Sequence, residues 1–143
     1  MSNLVEALDA ATAARLVDTA RSARLRAHAP YSRFRVGAAL LDEQGRIHAG
    51  CNVENAAYPQ GVCAEAAALS ALVLAGGRRA TALLVVGEGP SWVTPCGGCR
   101  QKLREFAAGD CPIWVADLSE LRATFTLDEL LPQSFGPEHL RLP

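Results

Sequence analysis

The sequence predicts an α/β fold of three layers, in which a five-stranded mixed sheet lies between helices on both faces. Helical and strand patterns alternate along the chain, and apolar runs such as those at 36–41 and 82–86 have the length of strands. The chain has 143 residues, of which 50% are hydrophobic, and this is enough for a substantial core. A chain of this length fits one domain, so we expect a single domain over residues 1–143.

The N-terminal part of the chain predicts a long helix followed by a β-hairpin. Residues 3–26 place apolar side chains at helical spacing, with charged residues between them. Residues 34–41 and 46–51 have strand patterns, and the short turn at 42–45 joins them. Because so short a turn reverses the chain directly, these two strands should pair antiparallel.

A second helix, a buried strand and a third helix follow the hairpin. The alanine-rich segment 63–75 predicts a helix, which Gly76 and Gly77 end. Residues 81–87 form a nearly continuous apolar run of strand length, and residues 97–107 predict the next helix. These segments supply the alternation of helix and strand that the three-layer fold requires.

The C-terminal part of the chain predicts two strands and a short helix. Residues 112–116 and 123–125 have strand composition, and residues 127–131 predict the last helix. Thr126 and Glu129 have the spacing of a capping box, in which each side chain satisfies a backbone N–H group of the other residue. With these two strands, the predicted sheet reaches five.

Composition and charge exclude several classes of function. Lys and Arg total 14 while Asp and Glu total 15, so the formal net charge is −1. A nearly neutral chain lacks the basic surface that holds nucleic-acid phosphates, and no apolar run is long enough to span a membrane. The first residues lack the basic start and apolar block of a secretory signal. We therefore expect a cytoplasmic protein that binds neither nucleic acid nor membranes.

The chain has five cysteines. An odd number argues against a framework of disulfides and favours a metal or catalytic role. Three of them occur in two short segments. One segment is Cys63-Ala64-Glu65, and the other is the sequence PCGGC at 95–99. Either segment alone is weak evidence. In this order, and both at predicted helix starts, they match a three-ligand zinc site with a neighbouring Glu that is not a ligand.

Helix geometry explains why these cysteines suit a metal. Cys96 and Cys99 are three residues apart and face the same way on the first turn of a helix, while Cys63 opens the other helix. The partial positive charge of a helix N-terminus favours thiolate over thiol. Three protein ligands leave the fourth zinc position to water, whose pKa the metal lowers toward neutral. Glu65 is close enough in sequence to exchange protons with that water.

Other interpretations of the cysteines remain open at this point. A structural zinc site needs a fourth ligand, and none of the available donors lies at motif spacing. These donors are Cys51, Cys111, His28, His48 and His139. A redox pair of the thioredoxin type explains Cys96 and Cys99 but leaves Cys63 and Glu65 without a role. Cys51 and Cys111 are most simply interpreted as buried small apolar residues.

At these residues the sequence resembles the cytidine deaminase family, in particular its small homotetrameric branch with three cysteine ligands. The likeness covers nearly the whole chain in four blocks that keep the family's order. The blocks are YSRFRVGAAL at 31–40, GCNVENAAYP at 50–59, PCGGCRQ at 95–101 and LLPQSFGP at 130–137. The resemblance implies a cytidine deaminase-like fold. It also implies a zinc-dependent hydrolase of pyrimidine salvage that converts cytidine or deoxycytidine to the uracil nucleoside and ammonia.

The resemblance further implies roles for individual residues. Cys63, Cys96 and Cys99 would bind Zn²⁺, and Glu65 would be the catalytic residue. Six residues would contact the substrate: Phe34, Asn52, Glu54, Tyr58, Ala64 and Phe135.

Each of these six residues would contact a different part of the nucleoside. Phe34 would pack against the pyrimidine ring, and backbone groups of Ala64 would meet the amide edge of the base. Asn52 and Glu54 would hydrogen-bond the ribose 3′-hydroxyl, which both donates and accepts. In the homotetramer that the resemblance implies, Tyr58 and Phe135 would come from neighbouring subunits and close the pocket.

One position departs from the family's pattern. The three-cysteine branch typically carries an Arg directly after the Cys-Ala-Glu segment, where this chain has Ala66. That Arg offsets the negative charge of three thiolates, and its loss should raise the pKa of the metal's water unless another group compensates. We expect the two helix N-termini, or Arg100 if its side chain folds back, to compensate and the site to remain active.

Two alternative functions are also considered for this sequence. One is a related zinc deaminase that acts on a free base, a nucleotide or a modified nucleoside such as blasticidin S. The other is a catalytically impaired zinc protein that binds nucleosides. The pair Asn52 and Glu54 favours a free nucleoside, since no Arg cluster accompanies it to bind a phosphate. The presence of Glu65 argues against the impaired protein.

Overall fold

A computed structural model describes residues 8–140 as alternating helices and strands. The helices are α1 (Ala10–Leu25), α2 (Ala64–Leu74), α3 (Gly97–Arg104) and α4 (Leu127–Leu130). The strands are β1 (Gly37–Asp42), β2 (Ile47–Cys51), β3 (Ala80–Val86), β4 (Pro112–Ala116) and β5 (Leu121–Thr126). Two short 3₁₀ helices cover Tyr58–Gln60 and Pro137–Leu140. Within residues 8–140, none of the helices is long and apolar enough to cross a membrane.

The five strands form one mixed sheet in the order β2-β1-β3-β4-β5. β1 pairs antiparallel with both β2 and β3, and β5 pairs antiparallel with β4. β3 and β4 run parallel, and the connection between them contains α3. The predicted five-stranded mixed sheet and the antiparallel hairpin at its edge are confirmed.

Helices cover both faces of the sheet, which confirms the three layers. On one face α1 packs its buried Leu16 against a cluster that includes Leu84 and Trp114. On the other face α2 and α3 pack against a cluster that includes Leu83 and Ile113. Leu83 and Leu84 are neighbours on β3 and point to opposite faces, as strand periodicity requires. The central strands therefore bury side chains on both sides.

Two glycines allow the helices to approach the sheet closely. A Cβ atom on Gly37 of β1 would lie 2.0 Å from the carbonyl oxygen of Ala20 in α1. A Cβ atom on Gly50 of β2 would lie 2.1 Å from the carbonyl oxygen of Ala64, the first residue of α2. Both distances are impossible for real atoms, so only glycine fits. Gly50 thereby fixes the start of α2 against the sheet.

The ends of several elements differ from the predicted ones. The first helix begins at Ala10, where the Asp9 side chain caps it by accepting from Thr12 N at 2.9 Å. Residues 3–7 of the predicted helix lie outside the described residues. The first strand begins at Gly37 and not at residue 34, because the Asn52 side chain bonds to Val36 N and Phe34 O just before it.

The third helix and the last strand also differ in length from their predictions. α3 ends at Arg104 and not at residue 107, because the N–H groups of Glu105 and Phe106 bond to carbonyls three residues back, at Lys102 and Leu103, and not four. β5 is longer than the predicted 123–125, since its pairing with β4 extends to Leu121.

The capping box predicted before the last helix is confirmed. Thr126 N donates to Glu129 Oε2 at 2.8 Å, and Glu129 N donates to Thr126 Oγ1 at 3.2 Å. These reciprocal bonds explain how α4 forms with only four residues.

Candidate metal centre and active-site pocket

Two helix N-termini carry the predicted metal ligands. Cys63 is the N-cap residue of α2, and Cys96 is the N-cap residue of α3. Cys99 lies in the first turn of α3 and is 2% exposed. An N-cap side chain lies beside the N–H groups of the first helical turn, so both sulfurs lie at a partially positive helix N-terminus.

The three sulfurs converge on one point. The Sγ atoms of Cys63, Cys96 and Cys99 all lie within 4.8 Å of one another, and those of Cys63 and Cys96 are 3.8 Å apart. Tetrahedral zinc with Zn–S bonds of about 2.3 Å requires sulfurs about 3.8 Å apart. The donor set and its spacing therefore fit Zn²⁺. Three ligands leave one coordination position for the reaction, as catalytic zinc sites do.

The thiols differ in how readily they ionise. Burial raises the pKa of the Cys99 thiol far above its usual range and also raises the pKa of Cys63. Burial acts in the same direction on Cys96, but hydrogen bonds from the Cys99 N–H and from the neighbouring thiols outweigh it and lower the pKa of Cys96. Sulfurs this close repel one another once charged, so a divalent cation is needed to hold all three as thiolates.

Glu65 is the second residue of α2 and is 6% exposed. Burial raises the pKa of this carboxyl, and hydrogen bonds with its own N–H and with the Cys99 thiol oppose that shift only in part. A carboxyl with a raised pKa can both give and take a proton near neutral pH. Glu65 therefore lies beside the three sulfurs in a state suited to proton transfer.

A cleft of about 340 Å³ opens above the cysteines and Glu65. Its lining includes Ser32, Phe34, Val36, Asn52, Glu54, Cys63, Ala64, Glu65, Val93, Thr94 and Cys96. Four of the six predicted substrate-binding residues are in this lining. Its volume falls within the range of small-molecule sites, about 300–1,000 Å³. Within this lining there is no Arg or Lys to bind a phosphate.

The predicted sugar-binding pair holds the loop that precedes β1. Asn52 Oδ1 accepts from Val36 N at 2.8 Å, and Asn52 Nδ2 donates to Phe34 O at 2.8 Å. Glu54 accepts from the N–H groups of Tyr31 and Ser32, at 2.9 and 3.1 Å, and from the Ser32 hydroxyl. Hydrogen bonds from Ser32 are the main reason that the pKa of Glu54 is lowered. Glu54 therefore faces the cleft as an ionised acceptor.

Tyr58 and Phe135 do not line this cleft. Tyr58 is 75% exposed and packs edge-on against Tyr31, with ring centroids 5.8 Å apart. Phe135 is 55% exposed and stacks on His139, with centroids 4.9 Å apart. The single chain does not bring these two residues to its own site. Their predicted role at a neighbouring subunit stays a prediction.

Arg100 does not donate to the sulfurs. Its guanidinium donates to Pro95 O at 2.6 Å, to Leu130 O at 2.8 Å and to Thr94 Oγ1 at 3.0 Å. It therefore holds the segment just before Cys96 and supplies positive charge only from a distance. The expectation that Arg100 folds back onto the thiolates is not met by these contacts, which leaves the helix N-termini as the nearer source of compensation.

Four residues of the cleft have no role in the sequence argument: Ser32, Val36, Val93 and Thr94. Ser32 and Val36 belong to the block around Phe34, so their position in that block was the available signal. Val93 and Thr94 immediately precede the PCGGC segment but contain no chemical signature of their own. They lie in the loop between β3 and α3, which contributes to the lining of the cleft.

Taken together, a three-layer fold, three converging cysteines and a buried carboxyl define a zinc-dependent deaminase centre. The family model described as cytidine and deoxycytidylate deaminase zinc-binding region matches residues 11–115. This match covers more than half of the chain, and the chain belongs to that family.

Curated relatives and solved structures agree with this assignment. A cytidine deaminase of Sporosarcina psychrophila is 43% identical over 126 residues, which cover 88% of this chain and 93% of the relative. One from Mycobacterium tuberculosis is 43% identical over 80% of this chain and 82% of its own length. The crystal structure of cytidine deaminase from Burkholderia pseudomallei matches with a TM-score of 0.79 and 39% identity, covering 85% of this chain and 98% of that one.

Proposed function

We propose that this protein hydrolyses the exocyclic amino group of cytidine and deoxycytidine, giving uridine or deoxyuridine and ammonia. The observation that carries the proposal is the meeting of three cysteine sulfurs and the buried Glu65 carboxyl in a cleft of nucleoside size. Relatives that are 43% identical over most of their length are named cytidine deaminases, which supports the same substrate class.

Cys63, Cys96 and Cys99 are the residues that would hold Zn²⁺. When bound there, the metal acts as a Lewis acid that lowers the pKa of water and favours its attack on carbon. The protein supplies the charge balance, because Cys63 and Cys96 are N-cap residues and lie at the partially positive N-termini of α2 and α3. We propose that this arrangement replaces the Arg that the family resemblance leads us to expect at the position of Ala66.

Glu65 moves the protons. Its carboxylate takes a proton from the attacking water and delivers it to the ring nitrogen beside the carbon under attack. The same carboxylate then takes the second proton from the hydroxyl now bonded to that carbon and gives it to the amino group. The amino group leaves as ammonia, and the hydroxyl oxygen becomes the new carbonyl oxygen. A raised pKa suits this double role, since the group must be protonated and ionised within one cycle.

The rest of the cleft selects a nucleoside. Phe34 offers its ring to one face of the base, and the backbone of Ala64 reaches its amide edge. Asn52 and Glu54 bind the 3′-hydroxyl of the sugar. Because no cationic side chain is in the described lining, a free nucleoside fits better than a nucleotide.

We further propose a cytoplasmic homotetramer that acts in pyrimidine salvage, with residues 1–143 as one deaminase domain. In such an assembly Tyr58 and Phe135 would complete the pocket of a neighbouring chain, and their high exposure in this chain leaves them free to do so. Exposed apolar side chains on α2, Val73 at 50% and Leu74 at 90%, offer a surface for association.

The test is the loss of cytidine absorbance in the ultraviolet, together with ammonia release, catalysed by the zinc-loaded protein. We expect turnover by the wild type and a loss of about 10²–10⁴-fold in Glu65→Gln, with one zinc per chain retained in both. Glu120→Gln, which changes an exposed carboxylate in the turn before β5, should leave turnover unchanged.

The alternatives predict different outcomes of the same test. Turnover of blasticidin S in preference to cytidine would indicate a deaminase of modified nucleosides. Tight uridine binding without turnover of any cytosine nucleoside would indicate a catalytically impaired homologue and contradict the proposal.

A further inference from the structure

Ser32 lies at the rim of the cleft, where it joins the sugar-binding pair to the loop that carries Phe34. Its hydroxyl donates to Glu54 Oε2 and accepts from Phe34 N at 3.0 Å. Arg33, between them, has a φ of 59°, a left-handed conformation that is uncommon outside glycine. This turn brings Phe34 N back toward the Ser32 hydroxyl. One hydroxyl thus sets the position of both Glu54 and Phe34.

The hydrogen bonds of Glu54 leave little of its carboxylate free. An ionised carboxylate has about four acceptor sites. Tyr31 N and Ser32 N occupy two of them on Oε1, and the Ser32 hydroxyl occupies a third on Oε2. One site on Oε2 remains to accept a bond from a ligand.

Asn52 is limited in the same way. Its Oδ1 accepts from Val36 N, and one of the two hydrogens on Nδ2 is donated to Phe34 O. One N–H of Asn52 and one acceptor site of Glu54 therefore remain, and both residues line the cleft. A single hydroxyl group of a ligand can use both, because it can donate to Glu54 and accept from Asn52.

We propose that Ser32 is a positioning residue for the sugar hydroxyl of the substrate and acts through Glu54. The proposal rests on the proposed function, in which Glu54 binds the 3′-hydroxyl. Ser32 does not touch the reacting atoms. Its hydroxyl holds Oε2 in the orientation that leaves the free acceptor site toward the cleft. Without it, Glu54 retains its two backbone bonds through Oε1, while Oε2 loses its protein partner.

The experiment compares two product analogues that differ only in the 3′-hydroxyl. Binding of 2′-deoxyuridine and of 2′,3′-dideoxyuridine to the zinc-loaded full chain is measured by calorimetry for the wild type, Ser32→Ala and Ser32→Thr. The preference for the hydroxyl-bearing ligand should fall about tenfold in Ser32→Ala, the worth of one hydrogen bond to a charged group. Ser32→Thr keeps a hydroxyl and should restore the preference.

A matched control separates this effect from the loss of any serine next to a carboxylate. Ser119 donates to Asp117 Oδ1 at 2.9 Å in a turn that does not line the cleft. Ser119→Ala should leave the preference unchanged.

Two results would overturn the assignment of Ser32. One is an equal weakening of both ligands in Ser32→Ala, which would indicate a general structural role. The other is a preference for the hydroxyl-bearing ligand that is the same in Ser32→Ala as in the wild type, or that is absent from the wild type.

Turnover of deoxycytidine by the wild type, recorded separately, decides the proposed function. A protein that prefers the hydroxyl-bearing ligand but turns nothing over would refute deamination while leaving the role of Ser32 in place.

Discussion

Two carboxyl side chains are buried within residues 8–140, and their surroundings are opposite. Glu65 is 6% exposed and Asp42 is 2% exposed, so both have lost nearly all contact with solvent. Burial favours the neutral form of each. The pKa of Glu65 is raised, whereas the pKa of Asp42 is lowered well below its usual range. The difference therefore lies in the partners that each carboxyl has.

Asp42 has a full set of donors. Its Oδ1 accepts from Gln44 N at 2.8 Å and from Arg46 N at 2.9 Å. Its Oδ2 accepts from Arg46 Nε and from His48 Nε2, both at 2.8 Å. Burial alone would raise the pKa of Asp42, but these bonds outweigh it. The carboxylate stays charged because four donors replace the lost water.

Glu65 has no cation beside it and faces three sulfurs that become negative when zinc binds. The same helix connects the two regions, since Arg46 Nη1 donates to the carbonyl of Ala75 at the C-terminal end of α2. The hairpin thus holds one end of α2, while the other end presents Glu65 to the cleft. A buried acid with complete hydrogen bonding supports the fold, and one without it is available for proton transfer.

The largest expected effect on stability comes from Asp42→Asn. This change leaves the buried His48 and the half-buried Arg46 against a neutral amide and should lower the free energy of unfolding by about 3 kcal/mol. Turnover per folded molecule should stay near the wild-type value, because Asp42 lies at the end of β1 remote from the cleft. Urea unfolding and cytidine turnover, measured on the same preparation, test both expectations.

Asp117→Asn is the matched control for this prediction. Asp117 also accepts from a turn, through Ser119 N and Glu120 N at 2.8 Å each, but its side chain is 18% exposed. Asp117→Asn should lower the free energy of unfolding by less than Asp42→Asn does. An equal effect of the two variants would mean that burial of the Asp42 network does not determine its contribution.

The free energy of unfolding should fall in acid, because the pKa of Asp42 is depressed in the folded protein. A carboxyl whose folded pKa is depressed contributes stability that is fully present above its unfolded pKa, about 3.9 for Asp. That stability is lost as the pH falls below this value toward the folded pKa. Urea midpoints between pH 6 and pH 3 should therefore decline more steeply for the wild type than for Asp42→Asn. Parallel curves would contradict this account.

The sequence predicted the fold well, because alternation of apolar segments and two glycine-marked turns are local signals. It also located the cysteines and Glu65, since a motif at a helix start depends only on nearby residues. The Asp42 network was not predicted, and Asp42 was assigned to a turn. Its burial follows from the pairing of β1 with β3, a contact between distant parts of the chain.

The start of β1, within the site, was also not predicted because it depends on a contact between distant residues. Phe34 was expected in a strand, but the side chain of Asn52 takes the backbone groups that a neighbouring strand would bind. A side-chain to backbone bond across 16 or 18 residues leaves no pattern in the sequence. Such bonds fix the cleft, so its detailed shape could not be predicted.

The smallest expected effect is a gain of stability in the metal-free protein when Glu65 is changed to Gln. Glu65 has a raised folded pKa, so the stability it contributes is present below its unfolded pKa and is lost as the pH rises through the folded pKa. The neutral Gln avoids that loss. Glu65→Gln should therefore be more stable than the wild type at pH 8, by an amount on the order of 1 kcal/mol, typical of relieving a strained functional site. The stabilities of the two proteins should become equal near pH 4, where Glu65 is protonated.

Thermal unfolding of the chelator-treated proteins across this pH range tests the predicted difference in stability. A wild type that is the more stable protein at pH 8 would show that the buried carboxylate is compensated after all, and the contrast with Asp42 would then be lost.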